Sequence, residues 1–446
     1  MVRRIVPLAA VQESSPFSIS SSWQVLGPFQ LGTRGMHTQL LTCRKCHTNN
    51  FTEGSWGADP LEYVGGFKSL EYDPSARFRS SLPSNGTAKW SVYEAKQSAS
   101  TSTSANVSLS IGYDNVDWDF LKVVYGWAAV QYQAWARGEI VVRGNETQHA
   151  ILYTDTIVEY YIDGVHHFGG DFYTFRKAPL VLHLTPGTHK IDIRLWRDVR
   201  AFGGINEPTI DVVVDIRKAS GNLELAQAGI LMSDVVDGKL ASPLASVALR
   251  NSGEDDVEIV DIQSSDVSPL VSLHRSDNSL VLSHQVSALT SRQANTTATK
   301  NPSGIVLAAG QTRPVVFNVS LPVRNTSAVS YVITYKAAKS SHKLHTLNVS
   351  QPLTKESIYS PHKITYLHPG GMVSYAMLRA PAKNATCISG SKKSSLPIII
   401  ANHGAGLEAD NPMVAHALDP VPDLCSWVMF PTGVTPWSSD DWREYF

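Results

Sequence analysis

Apolar and polar residues alternate along much of the chain with a period of two, the spacing that puts successive side chains on opposite faces of a strand. Alternation is plainest over 151–162 and 189–196, and the whole stretch 55–218 predicts many short strands separated by turn residues. Tyr161-Ile-Asp-Gly164 sets an Asp-Gly turn behind a β-rich run, and Leu184-Thr-Pro-Gly-Thr-His-Lys190 sets a Pro-Gly turn before Ile191-Asp-Ile-Arg-Leu195. Each predicts a hairpin. A second β region, 219–355, contains Ala245-Ser-Val-Ala-Leu-Arg-Asn-Ser-Gly253, the alternating Val257-Glu-Ile-Val-Asp-Ile262, Pro314-Val-Val-Phe-Asn-Val-Ser-Leu321 and Tyr331-Val-Ile-Thr-Tyr335. Its segment 287–303, rich in Ser, Thr, Ala and Asn, reads as a long exposed loop.

The pattern changes after 356. Ile364-Thr-Tyr-Leu367 and Val373-Ser-Tyr-Ala-Met-Leu378 predict paired strands, but Leu396-Pro-Ile-Ile-Ile-Ala401 is continuously apolar, as expected of a strand buried on both faces in a mostly parallel sheet. Ser426-Trp-Val-Met-Phe430 is a second such run, and 411–418 between them has the apolar spacing of a short helix. Strand, helix, strand in that order predicts an α/β layout.

A chain of 446 residues exceeds one ordinary domain, and 43% apolar with 17% charged residues suffices for sizeable cores. The formal net charge of -1 and the lack of a dense Lys/Arg cluster argue against nucleic acid as a partner. No apolar run has the length of a membrane-spanning helix. Arg3 and Arg4 precede a short apolar run over 5–11 that resembles a minimal or clipped signal peptide, a frayed terminus being the plain alternative. Asn-x-Ser/Thr occurs at Asn50, Asn85, Asn106, Asn145, Asn295, Asn318, Asn325, Asn348 and Asn384, which favours a secreted or endomembrane location. The four cysteines are too few for a disulfide scaffold; Cys387 and Cys425 fit either a bridge or two buried thiols.

The residue turn most suggestive of chemistry is Asn402-His403-Gly404-Ala405-Gly406, directly after the first continuously apolar strand, where open α/β sheets bind ligands. It resembles the His-Gly-rich turn of α/β-hydrolases, whose glycines let backbone N–H groups approach a developing oxyanion. The order of the whole chain is similar to serine hydrolases of the prolyl oligopeptidase-like (peptidase S9-like) group. The strand ending in Asp-Gly and the later Pro-Gly turn into an Ile-x-Ile-Arg strand likewise resemble the jelly-roll sandwiches of the galactose-binding-like and PA14-like groups. These resemblances imply two mainly antiparallel β-sandwiches, jelly-roll-like over 55–218 and immunoglobulin-like over 219–355, followed by an incomplete α/β-hydrolase domain over 356–446. They imply a peptide or ester substrate for the full-length protein, an oxyanion-hole-like turn at His403, Gly404, Ala405 and Gly406, and no cofactor. No Gly-x-Ser-x-Gly occurs in the sequence, so the nucleophile and triad are missing and turnover by this chain is expected to be absent.

Other signals are weaker. Cys43-Arg-Lys-Cys46-His47 matches the haem-attachment spacing, but polar flanks supply no haem pocket and a zinc site would lack a fourth ligand. The segment 35–54 reads instead as foreign to the fold, with 1–34 running naturally into Trp56. His166, His167 and Asp171 have a spacing open to metal, though exposed loop histidines are the commoner case, and no metal is assigned. The acidic and aromatic run 114–120 reads as a strand edge, or, through Trp118 and its aspartates, as a glycan-binding face. The alternative function is therefore a noncatalytic carbohydrate- or protein-binding multidomain β protein.

Overall fold

The computed structural model describes residues 15–31, 59–97, 101–168, 170–171, 176, 178–199, 208–227, 229–264, 305–319, 327–338, 343–368, 371–383, 385–387, 396–404, 407–421 and 423–432. The segment 35–54 with Cys43, Cys46 and His47, the N-terminal run 5–11 and the loop 287–303 lie outside the described residues. The chain divides into two compact units, Met1–Ser220 and Gly221–Phe446.

The first unit contains, in order, β1 (Phe17–Ile19), β2 (Ser22–Gln30), β3 (Arg77–Arg79), β4 (Thr87–Glu94), β5 (Lys96–Gln97), β6 (Ser104–Ile111), helix α1 (Trp118–Tyr125), β7 (Tyr132–Val142), β8 (Gln148–Asp155), β9 (Glu159–Ile162), β10 (Val165–Phe168), β11 (Leu180–Leu184), β12 (Gly187–Arg197) and β13 (Ile210–Lys218). They form two antiparallel sheets, β10-β9-β12-β7-β2-β4-β3 with β1 beside β7, and β11-β8-β13-β6-β5. Apolar residues at alternate positions of both sheets, among them Ala136, Ile191, Ile193 and Leu195 from one and Leu109, Leu152, Val212 and Val214 from the other, share one core, so this unit is a β-sandwich. A second cluster, Leu26, Phe29, Leu61, Phe67, Trp90 and Trp135, packs on the other face of the larger sheet. There the segment that opens with the 3-10 turn Pro60–Val64 covers part of that face.

Two expectations for this unit are corrected. The Asp163-Gly164 turn does close the β9–β10 hairpin, with φ of 49° and 78° at the two turn residues. The Pro-Gly segment does not close a hairpin: β11 pairs with β8 in one sheet and β12 with β7 and β9 in the other. The chain crosses between the layers there, because turn residues reverse the chain without fixing which partner the next strand takes. Nor is 114–120 a strand edge. Asp117 accepts a hydrogen bond from the Phe120 N–H at 2.9 Å and caps α1.

The second unit contains β14 (Leu223–Leu225), β15 (Val235–Val236), β16 (Lys239–Leu240), β17 (Leu244–Asn251), β18 (Val257–Ser264), β19 (Ile305–Leu307), β20 (Thr312–Asn318), β21 (Ala328–Ala337), β22 (His345–Pro352), β23 (Lys355–Glu356), β24 (His362–Leu367), β25 (Val373–Arg379), β26 (Ile398–Ile400), helix α2 (Pro412–Ala415) and β27 (Trp427–Pro431). Sheets β14-β17-β20 and β19-β18-β21-β22 are antiparallel and enclose Val247, Leu249, Phe317, Ile259, Tyr331 and Ile333, giving another sandwich. The sheet β24-β25-β27-β26 joins it through the Thr365 hydroxyl, which donates to the Leu244 carbonyl at 2.6 Å, and the Lys363 N–H, which donates to Asp234 at 2.6 Å.

This last sheet is mixed, its single parallel pair being β26 and β27. The intervening α2 is only four residues long and packs Val414 and Ala415 against Val428 and Phe430. Burial on both faces, expected for 396–401, is not found: Ile398 and Ile400 are each 61% exposed. β26 is an edge strand, and α2 packs on the other side, where Val428 lies opposite Ile399. The fold among the described residues is thus mainly antiparallel β, and it shows no α/β-hydrolase domain.

Candidate functional site

The alternation that buries Ile191, Ile193 and Leu195 in the first sandwich turns Asp192, Arg194 and Trp196 to the outer face of the larger sheet. Strand register brings their partners alongside. Asp192 lies opposite Arg137, Arg194 opposite Trp135 and Trp196 opposite Gln133 on β7, while Tyr161 of β9 stands on the far side of Asp192 with His166 of β10 beyond it.

One half of this face is covered. The Arg137 guanidinium grips Asp192 through Nε at 2.7 Å and Nη2 at 3.0 Å, and donates to the carbonyls of Leu70 at 2.6 Å and Phe67 at 3.2 Å. It also lies 4.8 Å from the Phe67 ring centroid, so the covering segment is tied down by charge-assisted hydrogen bonds and ring contact together. Asp59 begins this segment, accepting from the Leu61 N–H at 3.0 Å and from the Trp135 indole at 2.9 Å. Burial raises its pKa despite those donors and the nearby Arg194 charge. With both oxygens committed, Asp59 is a cap and not a spare acid.

The other half holds Arg194, Glu159, Trp196, Gln133, Tyr161 and His166. Arg194 donates to the Gln133 side-chain oxygen at 2.6 Å, approaches Glu159 at 3.6 Å, and stacks 5.0 Å from the Trp196 ring. Its side chain is 9% exposed and that of Glu159 14%, so a guanidinium and a carboxylate are held largely buried just beneath the outer face with little freedom to swing away. Glu159 also faces His166 at 3.8 Å. Tyr161 stacks beside His166 at 4.8 Å, with the Lys68 ammonium 5.5 Å above its ring, and burial followed by the charges of Glu159 and Glu62 raises its phenol pKa. Gln133 and Arg194 are buried, and the half-buried Trp196 and Tyr161 with the exposed His166 are the rings on which the C–H face of a polyhydroxylated ring can lie, Glu159 being the polar group beside them.

The residues singled out by sequence are dispersed. His166 and His167 point to opposite faces of their hairpin, His167 stacking on Tyr160 at 5.4 Å, its pKa lowered by burial and by His166. No metal-competent group of three His, Cys, Asp or Glu occurs among the described residues. Trp118 is half-buried: its indole donates to the Tyr113 carbonyl at 3.1 Å and packs 5.3 Å from Tyr132 on the core. The depression of about 450 Å³ beside it is lined by Ser84, Asn85, Asp114, Asn115, Val116 and Asp117, without an aromatic ring. The half-buried His403 and the exposed Gly404 follow β26, and the Gly404 carbonyl accepts from the Leu407 N–H at 3.2 Å. A Cβ at Gly404 would meet nothing within 4 Å. Ala405 and Gly406 lie outside the described residues. Cys387 and Cys425 form a disulfide. The outer-face cluster escaped the sequence reading although the alternation over 189–196 had already placed Arg194 and Trp196 on one face. Their partner Glu159 enters through strand pairing alone.

A two-layer β-sandwich with a polar and aromatic outer face is therefore the class of structure at hand. No family model matches the chain. It is 39% identical over 431 residues to a protein of Arthroderma benhamiae described as an uncharacterized secreted protein, covering 97% of this chain and 40% of that one. The chain spans about two fifths of the length of that curated relative. Similar solved structures include a calcium-binding mutant of Bacteroides uniformis β-glucuronidase 2 (12% identity, TM-score 0.26, 63% of this chain and 30% of that one). An Amycolatopsis orientalis exo-chitosanase gives 12% identity and a TM-score of 0.26 over 56% of this chain and 28% of its own. A β-galacturonidase from Eisenbergiella tayi bound to galacturonate gives 14% and 0.24 over 57% and 43%. The resemblance to prolyl oligopeptidase-like (S9) serine hydrolases is corrected on the fold: the described residues over 356–446 form a small mixed sheet and no α/β-hydrolase domain. None of the glycosidase activities is ascribed to this chain.

Proposed function

We propose that this chain is a noncatalytic carbohydrate-binding β protein, and that the outer face of its first sandwich around Arg194 is the binding surface. The observation that carries this reading is the Arg194 guanidinium held between Gln133 and Glu159 and against the Trp196 ring. That buried cation fixes the Trp196 ring, which with the Tyr161 and His166 rings on the same face matches the stacking that saccharides offer. Export from the cell belongs to the same reading, supported by the secreted description of the Arthroderma relative, the Cys387–Cys425 disulfide and the Asn-x-Ser/Thr sites.

A finer partition accompanies it: a jelly-roll-like 55–218, an immunoglobulin-like 219–355, and a third segment over 356–446 built on the small mixed sheet. The turn at His403, Gly404, Ala405 and Gly406 is proposed as a backbone-donor surface, with no reaction assigned to it. The test is a glycan array with the purified chain, repeated with Trp196→Ala and Glu159→Gln. Selective binding lost in both variants supports the proposal. Absence of selective binding, or binding that both variants retain, defeats it.

A further inference from the structure

β22 is eight residues long, the longest strand at any sheet edge among the described residues, and it pairs only with β21. Such edges invite pairing with another chain and are normally blunted by charge, by proline, by a bulge or by brevity. β19, β14 and β26 are three residues each, and the edge strand β20 carries Arg313 and Pro314. β22, His345-Thr-Leu-Asn-Val-Ser-Gln-Pro352, contains no Lys, Arg, Asp or Glu, and its proline is its last residue. Its register with β21 runs without a bulge from His345 to Pro352. Among the described residues none of these protections applies along its middle.

At that middle stands Asn348, which opens the sequence Asn-Val-Ser. Val349 is buried in the core, so alternation turns Asn348 and Ser350 to the outer face, where both are exposed. Asn106 and Asn318, the other acceptor asparagines lying within described strands, are half-buried. We propose that Asn348 carries an N-linked glycan, and that this glycan guards the free edge of β22. The bond formed joins Asn348 Nδ2 to the anomeric carbon of an oligosaccharide carried on a polyprenyl diphosphate. The anomeric carbon–phosphate oxygen bond breaks, the polyprenyl diphosphate leaves with the electron pair, and one amide proton is released. A bulky hydrated group then stands across the strand where a second chain would approach. The inference rests on the reading of export.

The experiment is to express the full chain in a eukaryotic secretory host, release N-glycans with peptide N-glycosidase in heavy-oxygen water, and map the labelled aspartates by peptide mass spectrometry. Asn85 and Asn145, both exposed in turns, serve as internal references. The expected result is label at Asn348, a monomer in sedimentation velocity, and a shift to larger species in Asn348→Gln, in Ser350→Ala and in the folded protein after enzymatic deglycosylation. Label at Asn85 or Asn145 without label at Asn348 overturns the inference and leaves export standing. No label at any of the three overturns both. Label at Asn348 with all three deglycosylated forms still monomeric removes the guarding role.

Discussion

Breaking the Arg137–Asp192 pair from one side should cost far more than removing it whole. The Asp192 side chain is fully buried and that of Arg137 is 9% exposed. Asp192→Ala leaves the guanidinium with only the Leu70 and Phe67 carbonyls, having lost contacts of 2.7 Å and 3.0 Å. Arg137→Ala leaves a carboxylate with no access to water and also unties the covering segment. Removing one partner of such a pair typically costs about 3–5 kcal/mol. In a unit of this size that is a fall in Tm on the order of 10 °C. The double variant Arg137→Met with Asp192→Leu replaces both charges by apolar groups and should lose less than either single change, because no charge is left uncompensated. Urea unfolding followed by tryptophan fluorescence reads this directly, since Trp23, Trp90 and Trp135 are all buried in this unit. Losses below about 1 kcal/mol for each single variant, or a double variant whose loss is the sum of the two, would refute the reasoning.

Three further outcomes are expected. The His189 pKa is raised: burial opposes the charge, but the Thr185 carbonyl at 2.8 Å and Asp163 at 2.6 Å together outweigh it. Protonated His189 therefore adds stability that is complete below its unfolded value of 6.5 and is lost as pH rises through the higher folded value; a Tm difference between wild type and His189→Gln that does not shrink with rising pH would exclude this. Gly138→Ala should destabilise the first unit by about 1–3 kcal/mol, because the new Cβ would fall 2.6 Å from the indole of fully buried Trp23; calorimetry checks it, with Trp23→Leu expected to recover part of the loss. Cys387→Ser with Cys425→Ser opens a loop of sequence separation 38 and should cost the second unit about 4 kcal/mol in denaturant unfolding, leaving the first unit unchanged.

What could be read from the chain was local. Alternation over 189–196 named a strand correctly, because three successive core-side positions are Ile191, Ile193 and Leu195. The Asp163-Gly164 hairpin was legible because two successive positive φ angles demand those residues. The Pro-Gly crossover was misread since its residues specify a reversal, whereas the choice between pairing with β9 and with β8 is made by packing of both layers. Asp117 could have announced α1, but the surrounding aromatic residues weighed toward a strand. A run of three isoleucines says that burial is favourable and says nothing of whether a second layer exists to supply it, which is why the exposure of β26 was unforeseen. The glycine-dense turn after it drew attention because glycine is conspicuous in a sequence. Arg194 and Glu159, from strands separated by a hairpin and a crossover, meet only once the sheet is assembled.

The order of strands in the larger sheet also sets a timetable. β2, made well before its partner β7, has a central place between β4 and β7, and β7 in turn pairs with β12 on its other side. β2 must wait, unpaired on its β7 flank, until about a hundred later residues have been made. Long-range pairing of this kind is slow and exposes strand edges to wrong partners. The first sandwich is thus expected to close only once β12 and β13, the strands that complete its two sheets, have been made.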